Sequence, residues 1–235
     1  MSVLSVRALK KRFGGVAALA GCSFDIAAPG IYGLIGPNGA GKTTLFDVVT
    51  GIIEPDSGQV ELSGRNITKW APHRLAALGI ARTFQECRVF PEFSCLDNLL
   101  FAPRLSHREK QMEAQALRLL RMVNLERYAE EPAATLSFGQ RRLLEIVAMF
   151  LSEPALLLFD EPAAGVNPAL LEVLAAFIRR MYEERPCAFL VVEHNMEFIM
   201  RLAAEIIVMH QGSVLERGAP QAISSSARVI EAYLG

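Results

Sequence analysis

The sequence predicts an α/β fold built on a mainly parallel β-sheet. Two short runs, 155–159 and 188–192, consist entirely of apolar residues, as expected of strands buried on both faces of a parallel sheet. A third run, 31–35, is followed by a glycine-rich turn and then by a helical pattern, which is the strand–turn–helix order of α/β units. We therefore expect these three strands in one sheet.

The totals limit the classes of protein that fit. The 235 residues suffice for one large domain or for a core with a smaller inserted domain. Lys and Arg number 24 against 25 Asp and Glu, a net charge of -1. This balance lacks the basic excess of a nucleic-acid-binding protein, so no nucleic-acid partner is predicted. The apolar content of 51% is high, which indicates a large core and some surface that partners cover.

The N-terminus and the cysteines indicate the compartment. Residues 1–5 lack a charged segment followed by an apolar core and a cleavage site, so we predict no secretory signal. No run approaches the roughly 18 uninterrupted apolar residues of a membrane span. The four cysteines are scattered, which is typical of reduced structural thiols. They are Cys22, Cys87, Cys95 and Cys187. A cytoplasmic chain is expected.

A phosphate-binding loop is predicted at 36–44, directly after the first strand. Its sequence follows the pattern of two glycines, a lysine and a hydroxyl residue. It consists of Gly36, Pro37, Asn38, Gly39, Ala40, Gly41, Lys42, Thr43 and Thr44. The glycines let backbone N–H groups converge on phosphate oxygens at a helix N-terminus. We expect Lys42 to reach the β- and γ-phosphates of a nucleotide and Thr43 to give its hydroxyl to Mg²⁺.

Phe13 follows three basic residues in a stretch of predicted strands and turns. An exposed aromatic ring there can stack on a nucleobase. An ordinary core phenylalanine fits the spacing better, so the pattern alone leaves both roles open.

The pattern changes from strands and turns to helices after Gln85, and the region 86–150 is predicted to be a helical insert. Two patterns in it resemble capping boxes. They are Ser94 with Asp97 and Ser106 with Glu109, of which the second precedes a helix with one apolar face. Three apolar residues after Gln85 are either anchors for a partner or buried packing residues. They are Phe90, Phe93 and Leu96.

A further capping-box pattern joins Ser137 and Gln140 at the head of a helix that runs to Leu151. The serine hydroxyl, the flexible amide of Gly139 and the helix N-terminus form a second candidate anion site. Helix capping explains the same residues equally well, and the chemistry leaves the two interpretations open.

Carboxylates follow the strand 155–159 at the edge where ligands collect in open α/β sheets. Asp160 is expected to bind Mg²⁺ directly or through water. Glu161, on the other face, is expected to orient or deprotonate a water molecule. The strand 188–192 ends near His194, which we expect at the same edge, in contact with phosphate.

In order, these motifs resemble the ATP-binding subunits of ABC transporters, over nearly the whole chain. The resemblance rests on the phosphate loop, Gln85, the motif Leu-Ser-Phe-Gly-Gln at 136–140, the strand 156–161 and His194. Within that family, residues 161–168, residues 193–197 and the final Glu-Ala-Tyr-Leu-Gly are similar to the branched-chain amino acid importer branch. Urea importer subunits are closely similar to that branch.

The resemblance implies a P-loop NTPase (RecA-like) core with a mainly parallel sheet and an N-terminal antiparallel β subdomain, formed by 1–85 and 151–235. It also implies an inserted helical subdomain, 86–150, that carries the 136–140 signature. The implied cofactors are ATP and Mg²⁺. Roles follow for four side chains: Phe13 stacks on adenine, Gln85 senses Mg²⁺ and the attacking water, Glu161 is the general base and His194 holds the γ-phosphate.

The resemblance further implies a head-to-tail dimer with a second ATP-binding subunit, identical or paralogous. Ser137, Gly139 and Gln140 of one subunit would complete the ATP site of the other. The surface after Gln85 would transmit dimer closure to integral membrane permease subunits, and a solute-binding protein would be reached indirectly. The expected location is the cytoplasmic face of the inner membrane, as a peripheral subunit.

Two features depart from the family pattern. Asn167 stands where most ABC ATPases have aspartate, and the segment 101–108 is shorter than the insertion of many branched-chain importer subunits.

A soluble ABC-type clamp on nucleic acid or the ribosome would carry coiled coils, fused halves or basic surfaces, which this sequence lacks. A kinase built on the same loop leaves 136–140 unexplained.

Overall fold

The fold consists of two β-sheets and surrounding helices in a computed structural model that describes residues 2–101 and 109–234. The strands are β1 (Leu4–Phe13), β2 (Val16–Ile26), β3 (Gly30–Ile35), β4 (Ser57–Leu62), β5 (Arg65–Asn66), β6 (Ile80–Arg82), β7 (Leu156–Asp160), β8 (Ala188–Val192), β9 (Glu205–His210) and β10 (Ser213–Gly218). The α-helices are α1 (Lys42–Val49), α2 (Pro72–Ala77), α3 (Cys95–Leu100), α4 (Glu109–Met122), α5 (Phe138–Phe150), α6 (Pro168–Glu184), α7 (Met196–Leu202), α8 (Pro220–Ser224) and α9 (Ala227–Leu234). Short 3-10 helices span Glu126–Tyr128 and Ala133–Thr135.

The larger sheet is mainly parallel, and its strand order is β10-β9-β3-β8-β7-β6. β3 runs parallel to β8 and β9, and β7 runs parallel to β6 and β8. The edge strand β10 is antiparallel to its neighbour β9. Every residue of β3, β7 and β8 is buried. The α/β class and the placement of the three apolar strands in one sheet, both predicted from the sequence, are confirmed.

The smaller sheet is antiparallel and has the order β2-β1-β4-β5. Its strand β2 lies against α1. The N–H of Ala20 in β2 donates to the carbonyl of Gly212, 2.8 Å away in the turn between β9 and β10. This bond ties the two sheets together beside the phosphate loop. The expected antiparallel sheet near the N-terminus is therefore present.

The central sheet separates two hydrophobic cores. Because side chains alternate along a strand, Leu157 and Phe159 of β7 point into the core shared with α3 to α6, while Leu156 and Leu158 point into the core shared with α1 and the antiparallel sheet. All four are fully buried. Packing on both faces fixes where β7 ends, and hence where the carboxylates after it lie.

In the part of the chain that the structure describes, the α-helices between β6 and β7 are α3, α4 and α5. Ser94 caps α3 as predicted, since its Oγ accepts from the N–H of Asp97 at 3.0 Å. The pattern at Ser106 lies outside the described residues, as does most of the short segment 101–108. The subdomain boundaries near 85 and 151 stay a prediction. No helix in the described part of the chain is both long and apolar enough to cross a membrane.

Candidate active site

The phosphate loop, 36–44, connects β3 to α1 and is wedged between the two sheets. A Cβ atom on Gly41 would lie 2.3 Å from the carbonyl oxygen of Ala18, and one on Gly36 would lie 2.2 Å from the carbonyl oxygen of Met209. Such distances exclude any side chain at either position. Since α1 begins at the next residue after Gly41, its first N–H groups lack intrahelical acceptors and are free to bind an anion.

Lys42 is buried, and its side chain folds back onto the first residues of the phosphate loop. Its Nζ donates to the carbonyl oxygens of Gly36 at 2.6 Å and Pro37 at 3.1 Å. Burial lowers the pKa of Lys42, and the negative charges of Glu161 and Asp160 oppose that shift. The predicted phosphate-binding lysine and the predicted carboxylates therefore lie within electrostatic reach of one another.

Asp160 ends β7 and is paired with an arginine that the sequence did not predict for this site. Its Oδ2 accepts from Nη2 of Arg82 at 2.9 Å, whereas Oδ1 is buried without a hydrogen-bond partner among the described residues. Burial raises the pKa of Asp160, and the guanidinium of Arg82 opposes the rise. Arg82 also donates to Asp47 and Thr50, at 2.6 Å and 3.1 Å. One guanidinium thus joins β6, α1 and the end of β7.

Glu161 and His194 meet at the carboxyl ends of β7 and β8. Nε2 of His194 lies 3.2 Å from Oε1 of Glu161. The backbone of Glu161 is left-handed, with φ of 50°, a conformation that costs a residue with a side chain about 1 kcal/mol. Its N–H donates to the carbonyl of Val192 at 2.9 Å, which holds it against β8. The two side chains predicted to act on water and phosphate are therefore neighbours.

A buried carboxylate, Glu193, fixes the turn that carries His194. Its Oε1 accepts from the N–H of Ala163 at 2.6 Å, and its Oε2 accepts from the N–H groups of His194 and Asn195 at 3.1 Å and 3.2 Å. Burial raises the pKa of Glu193, and these three N–H groups oppose the rise. The loop after Glu161 and the turn after β8 are thus held by one side chain. Its place at the end of an apolar strand was the only signal in the sequence.

Gln85 is exposed and lies just beyond a segment bonded to β7. The N–H of Thr83 donates to the carbonyl of Leu158 at 2.9 Å, and the N–H of Asp160 donates to Oγ1 of Thr83 at 2.8 Å. These bonds extend the β6–β7 pairing by one residue. The main chain before Gln85 is thereby fixed beside Asp160, although no described hydrogen bond joins the Gln85 side chain to the other site residues.

Phe13 lies at the end of β1 and is 48% exposed. Nζ of Lys11 lies 5.6 Å from the centroid of its ring. The spacing in the sequence favoured a core position, and that interpretation is wrong because the ring is open to solvent. An exposed ring remains available for stacking.

The capping box predicted at the head of α5 is present. Ser137 Oγ accepts from the N–H of Gln140 at 3.3 Å, and Gln140 Oε1 accepts from the N–H of Ser137 at 2.9 Å. Ser137 is exposed, whereas Gly139 is buried against α6, where a Cβ atom would lie 2.9 Å from Cδ1 of Leu170. Among the described residues, no hydrogen bond connects Ser137 or Gln140 to the phosphate loop of the same chain.

The predicted residues therefore fall into two groups. One sheet edge gathers the phosphate loop and three acidic or imidazole side chains, Asp160, Glu161 and His194. Among the described residues, no hydrogen bond joins Phe13 or the 137–140 motif to that group. The described residues include no group of three or more His, Cys, Asp and Glu that could bind a metal ion. The buried, unpartnered Oδ1 of Asp160 and the exposed hydroxyl of Thr43 are oxygen donors of the kind Mg²⁺ prefers.

Comparison with known proteins identifies the family. Residues 19–164 match the family described as ABC transporter. The chain is 36% identical to the high-affinity branched-chain amino acid transport ATP-binding protein BraF of Pseudomonas aeruginosa, over 99% of this chain and 98% of that protein. It is 35% identical to the corresponding LivG protein of Escherichia coli, with the same two coverages.

Solved structures agree with this assignment. A nucleotide-free ATP-binding cassette from an ABC transporter is 29% identical, covers 100% of both chains and has a TM-score of 0.86. A cassette in its ADP conformation is 28% identical, with the same TM-score, over 100% of this chain and 99% of the other. The chain belongs to the ABC transporter family and has its P-loop NTPase fold. It is an ATP-binding ATPase coupled to transmembrane transport.

Proposed function

We propose that this ATPase powers the uptake of branched-chain amino acids. The support for this substrate class is the similarity, over almost the full length of both chains, to ATP-binding proteins named for branched-chain amino acid transport. The support for the chemistry is the single sheet edge that gathers Lys42, Asp160, Glu161 and His194. ATP hydrolysis at that edge is the energy source of the transport.

In this proposal each residue of the edge has one task. The N–H groups of 36–44 and the ammonium of Lys42 bind the phosphates, because a helix N-terminus and a cation both favour negative charge. Glu161 accepts a proton from the attacking water as general base. His194, which already contacts Glu161 at 3.2 Å, donates to the γ-phosphate. Gln85 contacts the water from the end of the segment bonded to β7.

We assign Mg²⁺ to the same edge, held by the hydroxyl of Thr43 and by Asp160, with Gln85 beside it. The buried Oδ1 of Asp160 has no partner among the described residues and therefore has the capacity for one more contact. When bound, Mg²⁺ neutralises charge on the phosphate oxygens. Arg82 occupies the other oxygen of Asp160 and keeps that carboxylate in a fixed orientation.

The second group of residues is proposed to act in trans, in a head-to-tail dimer. Ser137 is exposed at the N-terminus of α5, and its hydrogen bonds among the described residues are local capping bonds. The first turn of α5 has no acidic residue, and the helix N-terminus is therefore suited to the phosphates bound by a second subunit. Ser137, Gly139 and Gln140 would thereby complete the partner's ATP site. Phe13 would stack on the adenine bound to its own loop.

We propose that membrane permease subunits dock on the aromatic surface after Gln85. Phe90, Phe93 and Phe101 contact one another with ring centroids 4.8 to 5.9 Å apart, and all three are exposed. Leu96, the third candidate anchor, is buried and is a packing residue. Exposed aromatic clusters of this kind mark protein interfaces. The subunit would therefore lie on the cytoplasmic face of the inner membrane, with a solute-binding protein reached through the permease.

Two substitutions test the chemistry. Lys42→Ala should weaken ATP binding itself, whereas Glu161→Gln should bind ATP normally, hydrolyse it about 10²-fold or more slowly and accumulate as an ATP-dependent dimer. Equilibrium nucleotide binding, steady-state hydrolysis and size-exclusion chromatography separate these results. Turnover of Glu161→Gln within a few-fold of the unmodified protein would show that Glu161 is not the base.

Co-purification tests the transport role. The tagged chain, extracted from membranes in mild detergent, should carry hydrophobic permease subunits, and the complex should take up leucine in proteoliposomes in an ATP-dependent manner. Recovery of the chain only as soluble, nucleic-acid-bound material would contradict the role. Uptake of urea in place of leucine would show that the chain serves the related urea importers.

A further inference from the structure

Arg142 is a fully buried arginine in the second turn of α5, with 1% of its surface exposed. Its Nη1 donates to the carbonyl oxygen of Phe84 and, at 2.8 Å, to Oε2 of Glu145. Its Nη2 donates to the carbonyl oxygens of Asp160 at 2.7 Å and Glu161 at 3.3 Å. Four acceptors on three separate segments therefore converge on one guanidinium.

Three of these four contacts reach a motif of the active site. The carbonyl of Phe84 immediately precedes Gln85, and the carbonyls of Asp160 and Glu161 belong to the two carboxylate residues after β7. Arg142 itself lies five residues after Ser137, which caps the N-terminus of α5. The guanidinium thus connects the end of α5 that is proposed to face the partner's nucleotide with the residues that are proposed to act on the chain's own nucleotide.

The contact with Glu161 bears on its strained backbone. Glu161 has φ of 50°, and its N–H is held by the carbonyl of Val192. Its carbonyl accepts from the N–H of Ala164 at 3.1 Å and from Arg142. A left-handed residue persists where the surroundings over-determine it. Arg142 supplies one of the bonds that hold Glu161 in this conformation, and it does so from a different helix.

Glu145 completes the cluster and neutralises it. Its Oε2 accepts from Arg142, and its Oε1 accepts from the N–H of Arg88 at 3.3 Å. The segment on both sides of Gln85 is therefore bonded to α5: Phe84 through Arg142, and Arg88 through Glu145. Only arginine offers donors on a rigid planar fork that can meet acceptors on several segments at once, because a lysine ammonium is a single point of charge.

We infer that Arg142 is a positioning residue that couples the N-terminal end of α5 to Glu161 and Gln85 of the same chain. The inference rests on the proposed function, in which Glu161 is the base and α5 faces the partner's ATP. A displacement of α5 on engaging the partner's nucleotide would then move the carbonyls of Phe84 and Glu161 with it. In a head-to-tail dimer this links occupancy of one ATP site to the geometry of hydrolysis at the other.

Two variants test the inference. Arg142→Lys keeps the charge and removes the fork. The double variant Arg142→Met with Glu145→Met removes the whole ion pair, so that no buried charge is left unpaired and the fold is preserved. In both, kcat for ATP should fall about 10- to 100-fold, the effect of a displaced catalytic group, while ATP affinity and the melting temperature stay close to those of the unmodified protein. The control is Arg180→Gln, which breaks an exposed intrahelical Arg–Glu pair in α6 and should leave kcat unchanged.

The outcomes separate positioning from folding. A kcat within about twofold of the unmodified protein in both variants, a change too small for a displaced catalytic group, would overturn the inference. So would a joint loss of ATP affinity, melting temperature and kcat, because Arg142 would then serve only the fold. Glu161→Gln is measured alongside. If that variant hydrolyses ATP normally, the proposed function fails; if it is inactive while the Arg142 variants are active, only the coupling fails.

Discussion

Nε2 of His194 lies 3.2 Å from Oε1 of Glu161, so the side chains at the ends of two adjacent parallel strands are in contact. Both are partly exposed, with 44% and 29% of their side-chain surfaces open to solvent. The contact faces the edge at which Lys42 is buried in the phosphate loop. Imidazole and carboxylate are thus held side by side where the γ-phosphate and its attacking water are proposed to bind.

His194→Ala should lower kcat for ATP about 10²-fold, the usual effect of removing one preorganised hydrogen-bond donor from a transition state. ATP affinity should fall much less, because the phosphate loop remains intact. Steady-state hydrolysis and equilibrium binding measure the two effects. His73→Ala, at an exposed position in α2, is the control, and hydrolysis equal in the two variants would refute the role of His194.

Arg82→Met should destabilise the protein by about 3 kcal/mol at pH 8, because it leaves the buried carboxylate of Asp160 without its partner. The pKa of Asp160 is already raised by burial, and Arg82 opposes that rise, so its removal should raise the pKa further. A raised carboxyl pKa favours the folded state at low pH, and this contribution is lost as pH rises through the folded pKa. The destabilisation should therefore be smaller at pH 5 than at pH 8.

Urea unfolding at the two pH values measures this difference. The control is Arg7→Met, which breaks an exposed pair with Asp25 and should cost less than about 1 kcal/mol. Equal losses of unfolding free energy for Arg82→Met at pH 5 and pH 8 would show that the ionisation of Asp160 is not the cause.

Phe13→Ala should weaken ATP binding by roughly 1 kcal/mol, the value of an aromatic stacking contact. The ring is 48% exposed, so its removal opens no cavity and should leave the melting temperature nearly unchanged. Val16→Ala, at a more exposed position in the neighbouring strand, is the control. Fluorescence titration with ATP measures the loss, and an affinity equal to that of Val16→Ala would exclude stacking by Phe13.

The four thiols should react slowly with a thiol reagent at pH 8. All are free, and burial raises the pKa of Cys22 and Cys87 to about 12 and that of Cys95 and Cys187 to about 11. Since the thiolate is the reactive form, native protein should label much more slowly than protein in urea. Equal labelling rates in the two conditions would show that the thiols are exposed.

The sequence predicted the parts of the fold that depend on local patterns. The apolar strands β7 and β8 and the capping box at Ser137 were all predictable, because burial on both faces and a serine three residues before glutamine leave local signatures. The contacts of Arg82, Arg142 and Glu193 were not. Each joins segments that are distant in the chain, and no spacing shows which of many arginines and glutamates the fold buries.

The sequence pattern also did not predict which side chains are exposed to solvent. For both Phe13 and Leu96 the sequence left open whether the side chain is buried, and the structure shows that Phe13 is open to solvent while Leu96 is buried. The difference depends on which neighbours the sheets and helices bring over each side chain. Asp160 is a similar case, because the acidic pair at 160–161 predicted only a bound cation as the partner of this carboxylate. The fold also supplies one of its own, Arg82.

The bonds of Lys42 to the carbonyls of Gly36 and Pro37 have a kinetic consequence. Through these two bonds the ammonium holds the loop in its curved conformation. An incoming polyphosphate then replaces the two carbonyl oxygens as the partner of the Lys42 ammonium. Nucleotide binding therefore requires little ordering of the chain. Association should therefore be rapid, and differences in affinity between nucleotides should arise mainly from how fast each one leaves.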